Sequence, residues 1–127
     1  MITISEKDIL AIHQLIIEQS GGSHGLRDAG LLNSAVNAPF QTFEGKDLYD
    51  SIEEKAAHLG YSLVNNHPFI DGNKRVGILA MATFLEINGC ILYCSDGEIV
   101  SLGLSLADGS CSIDNLITWL QEHLNKK

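Results

Sequence analysis

His67-Pro68-Phe69-Ile70-Asp71-Gly72-Asn73-Lys74-Arg75 gathers a base, a carboxylate, an amide, a glycine and two cations within nine residues. Before it, the apolar periodicity is helical and stops at Asn65-Asn66; after it, the pattern resumes at Val76 and runs to Gly89. The nine residues therefore read as a loop that feeds a helix N-terminus. Free backbone N–H groups and the positive end of the helix dipole make such a terminus a natural site for phosphate. His67 has the side chain whose ordinary pKa suits a general base at neutral pH. Asp71 offers a hard oxygen ligand for Mg²⁺, which favours one or two carboxylates completed by phosphate oxygens. Gly72 allows close backbone approach, Asn73 can hydrogen-bond a phosphate, and Lys74 and Arg75 can neutralise its charge.

The segments on either side read as helices. Val76 to Asn88 is apolar nearly all round, with Gly77, Ala80 and Ala82 between larger residues, as expected of a central helix packed on several sides; Asn88-Gly89 is its stop. Upstream, Ser51 and Glu54 make a capping box for a helix whose stripe is Ile52, Ala56, Leu59 and Leu63. Nearer the N-terminus, Ser5 with Asp8 opens a helix with a stripe of Ile9, Ile12, Leu15 and Ile16, closed by Gly21-Gly22. The glycine-rich run that follows lacks the ending of a P-loop and reads as a connector. Asp28 is the expected N-cap of a short helix ending near Pro39, and Arg27-Asp28 reads as a structural pair or cap. Phe40 to Lys46 is either a small hairpin or an irregular flap. Two further helices are expected, Asp96 to Ala107 and Ser112 to Leu124, with Cys90 to Cys94 as a short extended link. The expected fold is an all-α bundle of about six helices, with room for one short hairpin, in a single domain spanning residues 1–127.

Composition narrows the function classes. The chain of 127 residues carries a formal charge of −8, so its surface repels nucleic-acid backbones and a direct nucleic-acid role is not expected. The longest apolar run, near Val76 to Leu85, is broken by Gly77 and Thr83 and is too short to span a bilayer, and Met1 to Ser5 does not open a secretory signal. A cytoplasmic protein without a membrane partner is expected. Cys90, Cys94 and Cys111 have no C-x-x-C spacing and are read as reduced, buried thiols.

The nine-residue stretch resembles the Fic/Doc (Fido) signature, which is H-P-F-x-D/E-G-N-G-R-x-x-R in Fic proteins and H-x-F-x-D/N-A/G-N-K-R in the Doc branch. It matches the Doc form at every defined position and departs from the Fic form at Lys74 and Ile78. Gly25-Leu26-Arg27-Asp28-Ala29-Gly30-Leu31-Leu32-Asn33-Ser34-Ala35, Lys55-Ala56-Ala57 and Phe84-Leu85-Glu86-Ile87-Asn88-Gly89 extend the likeness over most of the chain. By resemblance, His67 is the base, Asp71 the Mg²⁺ ligand, Gly72, Asn73, Lys74 and Arg75 hold nucleotide phosphates, and Phe69 anchors the loop in the core. Gln41, Thr42, Phe43 and Glu44 fall where the family carries a flap that aligns the target by strand addition; an ordinary surface hairpin is the alternative.

The resemblance implies an ATP-dependent toxin of the Doc kind that phosphorylates a threonine of elongation factor Tu and is held by a Phd-like antitoxin. In Fic enzymes the glycine at position 74 leaves room for the α-phosphate and the final arginine grips ATP, giving AMP transfer. Lys74 and Ile78 argue instead for γ-phosphoryl transfer, which rests on positioning and charge neutralisation. Transfer of AMP to a protein hydroxyl and a catalytically idle partner-binding module are the alternatives.

Overall fold

Serine and aspartate set the helix starts. In the computed structural model, which describes residues 1–126 and not the side chain of Lys126, Ser5, Ser51 and Ser95 open helices α1 (Glu6–Ser20), α3 (Ile52–Asn66) and α5 (Asp96–Ala107) with complete capping boxes. Asp28 caps α2 (Ala29–Asn37) and Ser112 caps α6 (Ile113–His123) through single side-chain bonds. A 3-10 turn over Ala38–Phe40, with Pro39 at its start, ends α2. The remaining helix, α4 (Asn73–Ile87), starts at Gly72 with no side-chain cap.

The fold is all-α, with two small antiparallel sheets. The segment after Phe40 is a hairpin: β1 (Thr42–Phe43) pairs with β2 (Lys46–Asp47), and Glu44 and Gly45 turn the chain with φ of 52° and 80°. The second sheet was not expected. Its strands β3 (Cys90–Leu92) and β4 (Leu124–Lys126) pair across the chain, so the last helix ends at His123 and Leu124 begins a strand. A three-residue strand made by a distant partner leaves no periodicity to read. Cys90 and Cys111 are buried free thiols, whereas Cys94 is half-buried. Among the described residues no helix is long and apolar enough to cross a membrane.

Two expectations about helices need correction. Leu15 is 49% exposed, and the buried face of α1 is Ile9, His13, Ile16 and Ile17. At about 100° per residue, Leu15 stands roughly 240° round the helix from Ile9, off the face that Ile9, His13 and Ile16 share. The helix after the loop starts at Asn73 rather than Val76, because Gly72 adopts φ +82° and turns the chain directly into helix. Asn73, Lys74 and Arg75 therefore form a first helical turn.

Buried side chains from all six helices join in one cluster around α4, which packs against α3, α1, α5 and β3. The α3–α4 contact is the tightest. A Cβ at Gly77 would stand 2.6 Å from Val64 Cγ2 and 3.0 Å from the Gly60 carbonyl, and one at Gly60 would stand 3.1 Å from Met81 Cβ. Backbone meets backbone there, so added atoms must push the helices apart. Gly77→Ala is expected to lower stability by about 1–3 kcal/mol with helix content retained, read as a shift in the urea midpoint; an unchanged midpoint contradicts the close crossing.

Candidate active site

The last turn of α3 delivers His67. It is the C-cap, held in the left-handed region at φ 51° and ψ 56°, with its side chain exposed. For a residue with a Cβ this conformation costs of order 1 kcal/mol or more. Arg27 offsets the cost from outside the helix: Nε donates to the His67 carbonyl at 2.6 Å and Nη2 to the Asn66 carbonyl at 2.9 Å. These bonds satisfy carbonyls that a helix end leaves open. The Arg27 and Asp28 N–H groups both donate to the Pro68 carbonyl, Leu26 bridges Phe69, and the Ile70 N–H donates to the Gly25 carbonyl. The connector before α2 thus runs antiparallel to the loop as its back wall, and Arg27-Asp28 caps α3 with one residue and α2 with the next.

Phe69 fixes the loop's depth. It is fully buried, and the ring of His13 lies on it at 3.9 Å between centroids and 5° between planes. His13 Nε2 donates to the Asp71 carbonyl at 2.8 Å, since a carbonyl can only accept. Asn73 closes the turn: the Phe69 N–H donates to its Oδ1 and its Nδ2 donates to the Phe69 carbonyl, both at 2.9 Å. Its side-chain amide, expected to face a phosphate, is thereby engaged by the loop itself.

The mouth of α4 is polar and open. The Val76 N–H makes the first helical bond, to the Gly72 carbonyl, so the N–H groups of Asn73, Lys74 and Arg75 belong to the unbonded first turn. Asp71 stands beside them, half exposed, accepting from the Ser23 N–H at 3.1 Å and the Gly72 N–H at 2.8 Å. Those two bonds, helped by Arg75, hold its carboxyl below the ordinary aspartate range, so it is ionised at neutral pH. Arg75 is strapped in place: Nη1 donates to Ser20 Oγ and to the Gly21 carbonyl, and Nη2 lies 3.8 Å from Asp71 Oδ1. Lys74 is exposed and lays its aliphatic stem on α5, where a Cβ at Gly103 would stand 3.3 Å from Lys74 Cγ and Cδ.

Asp71, Gly72 and Arg75 are thus brought into direct contact, with Lys74 on the α5 side and His67 at the far end of the same loop. Gln41, Thr42, Phe43 and Glu44 lie in and beside the β1–β2 hairpin, which leads into the opposite end of α3. Two contributors escaped the sequence reading. His13 falls four residues after Ile9, on the buried face, and that spacing was its available signal. Gly22 has a signal only in space: a Cβ there would stand 2.6 Å from Asp71 Oδ2 and 3.0 Å from Arg75 Nη2.

Among the described residues no three His, Cys, Asp or Glu side chains gather as a metal cluster. An ionised, half-exposed carboxylate beside free helix N–H groups fits a cation such as Mg²⁺ that takes its other oxygens from a bound phosphate and water. Asp71 should titrate, by NMR of its carboxyl carbon, below the ordinary value of about 3.9. Its contribution to stability is then present above the unfolded-state value and is lost as pH falls through the lower folded-state pKa. A midpoint at or above the ordinary value contradicts the pair of N–H donors.

Known proteins resemble this chain along most of its length. The sequence profile of the Fic/DOC family matches residues 3–85. A toxin Doc of Mycolicibacterium smegmatis is 40% identical over 99 residues, covering 76% of this chain and 75% of that protein. The protein kinase doc of Escherichia phage P1 is 26% identical over 118 residues, covering 93% and 92% respectively. With the family profile matched through the loop and into α4, and a relative of this identity over three quarters of its length, the chain belongs to the Fic/Doc family.

Proposed function

We propose that this chain is a Doc-type toxin that transfers the γ-phosphoryl group of ATP to a threonine hydroxyl of elongation factor Tu. The relatives named toxin Doc and protein kinase doc support a toxin and a protein-modifying transferase. The observation that carries the reading is the start of α4, which lacks a side-chain cap and stands beside an ionised carboxylate. In this reading the first-turn N–H groups, Lys74 and Arg75 receive the phosphates. Asp71 would hold Mg²⁺, which would supply positive charge against that of the phosphates. His67 accepts the threonine proton as the hydroxyl oxygen bonds to the γ-phosphorus, the bond to the bridging oxygen breaks, and ADP leaves. Asn73 serves by shaping the loop, since its amide is bonded to Phe69.

The stem of Lys74 against Gly103 favours phosphoryl over AMP transfer, because that side chain fills the space that a glycine would leave open. One turn on, Ile78 has no polar atom with which to grip a nucleotide. Incubation with ATP labelled at either the α or the γ phosphate, with elongation factor Tu present, is expected to leave only γ label on the target. Label from the α position would reverse the assignment. His67→Ala is expected to slow transfer by about 10²–10⁴-fold and abolish growth arrest, whereas an arrest that persists would point to an idle binding module.

The antitoxin has a surface to occupy in the same reading. A groove of about 560 Å³ runs between α1, α4 and α5, lined by Ile16, Ile78, Leu79, Ala82 and Val100, with Lys74 and Arg75 among its walls. An antitoxin segment that folds on binding suits such a groove. Val100→Asp, made in the His67→Ala protein so that cells survive, is expected to weaken antitoxin binding by about tenfold or more in calorimetry; equal affinity would move the antitoxin elsewhere.

A further inference from the structure

The β1–β2 hairpin does not hold itself in place. Its strands have two residues each, all four are exposed, and Phe43 is 68% exposed. An isolated two-stranded hairpin is marginal in water, and strands this short bury nothing of their own. Its base is closed by one bond, from the Leu48 N–H to the Gln41 carbonyl at 2.9 Å. Something outside the hairpin must fix it.

Lys55 does so. It lies in the first turn and a half of α3, is only 4% exposed, and its ammonium bonds the stem after β2 and faces the ring of Phe40, which leads into β1. On the β2 side, Nζ donates to Asp47 Oδ2 at 3.2 Å and to the Tyr49 carbonyl. On the β1 side it stands 5.9 Å from the centroid of Phe40, within cation–π range. Three residues on, His58 stacks on Tyr49 with centroids 3.6 Å apart, so the stem after β2 is held twice by one helix. A lysine is rarely buried to this degree without partners, and losing one end of a buried pair leaves an uncompensated group. Here the partners belong to the segment that needs holding.

The same helix carries the general base assigned above. From Lys55 to His67 is twelve residues of α3, about 18 Å at 1.5 Å per residue, and the helix is stiffened by its close crossing with α4. We propose that Lys55 is a positioning residue: it sets the hairpin in fixed register with His67, so that a protein substrate docked along the hairpin presents its hydroxyl to the base. The proposal rests on the reading of the chain as a protein-modifying transferase whose target docks on the hairpin that the family resemblance implies at Gln41 to Glu44. The anchoring itself can be measured without any substrate.

Lys55→Met keeps length and apolar bulk while removing the charge. In the free protein, the Leu48 amide is expected to exchange hydrogen about tenfold faster in this variant, with the amides inside α3 and α4 unchanged. In transfer assays the KM for the protein target should rise about tenfold while nucleotide affinity and kcat at saturating target stay near wild type. A role in stability alone would not split KM from kcat in that way. Unchanged exchange at Leu48 overturns the anchor, and faster exchange with an unchanged KM overturns the positioning role. Should Lys55→Met lose protection throughout the chain, Asp47→Asn, which alters only the half-exposed partner, decides by the same two readings. If the wild-type protein transfers nothing to its target, the transferase reading falls, and exchange at Leu48 alone then supports or overturns the anchor.

Discussion

The backbone contact of α3 with α4 at Gly60 and Gly77 is the constraint from which the site follows. With the helices fixed so closely, the six residues from His67 to Gly72 must reverse the chain between two set ends. The reversal is bracketed by left-handed residues, His67 at φ 51° and Gly72 at φ 82°. A glycine takes such a conformation without penalty; a histidine does not. The loop therefore stores strain at the residue assigned as the base, and Arg27, Phe69 and the Asn73 amide restrain it from three directions. Backbone strain persists only where the surroundings over-determine it, and here each restraint comes from a different part of the chain.

Charge is distributed with the same economy. The protein carries a formal charge of −8, yet the mouth of α4 collects two cations and a set of unbonded N–H groups. An anion is drawn there by local geometry against an unfavourable overall field, which calls for short contacts rather than long-range steering. Asp71 does not cancel that attraction, because its two oxygens already accept from Ser23 and Gly72 and face Arg75. It stands as a rigid carboxylate whose remaining lone pairs are open to a cation.

Much of this was legible in the sequence because the information was local. A serine followed three residues later by an acid is a local mark of a helix start: it gave the starts of α1 and α3, and α5 carries the same box at Ser95 and Glu98, whereas Ser105 and Asp108 share the spacing at the end of α5 and start no helix. The nine-residue loop was legible for the same reason, since its chemistry is contiguous. What escaped was made by contacts between distant residues. Leu15 was placed on the buried face by counting apolar residues, while the histidine between Ile12 and Gln14 took the buried place by stacking on Phe69. The β3–β4 pair joins residues more than thirty positions apart in the sequence. Lys55 stood in plain view in a matching motif, but only the folded hairpin reveals what its ammonium holds.

Lys74 and Arg75 belong to two surfaces at once. They sit in the first turn of α4, where a phosphate is received in the proposed reading, and they line the groove between α1, α4 and α5. Ile78, one turn on from Lys74, extends the same face of α4 into that groove. An antitoxin segment lying in the groove would then end against the cations that the nucleotide needs, so inhibition and substrate binding would compete for one pair of charges. No movement of the loop is required for such competition, which fits a loop pinned by Phe69, Asn73 and Arg27. In that reading the toxin would be silenced by occupancy, and Lys74 would serve both surfaces, since it lines the groove and stands in the first turn of α4 where the phosphate site is proposed.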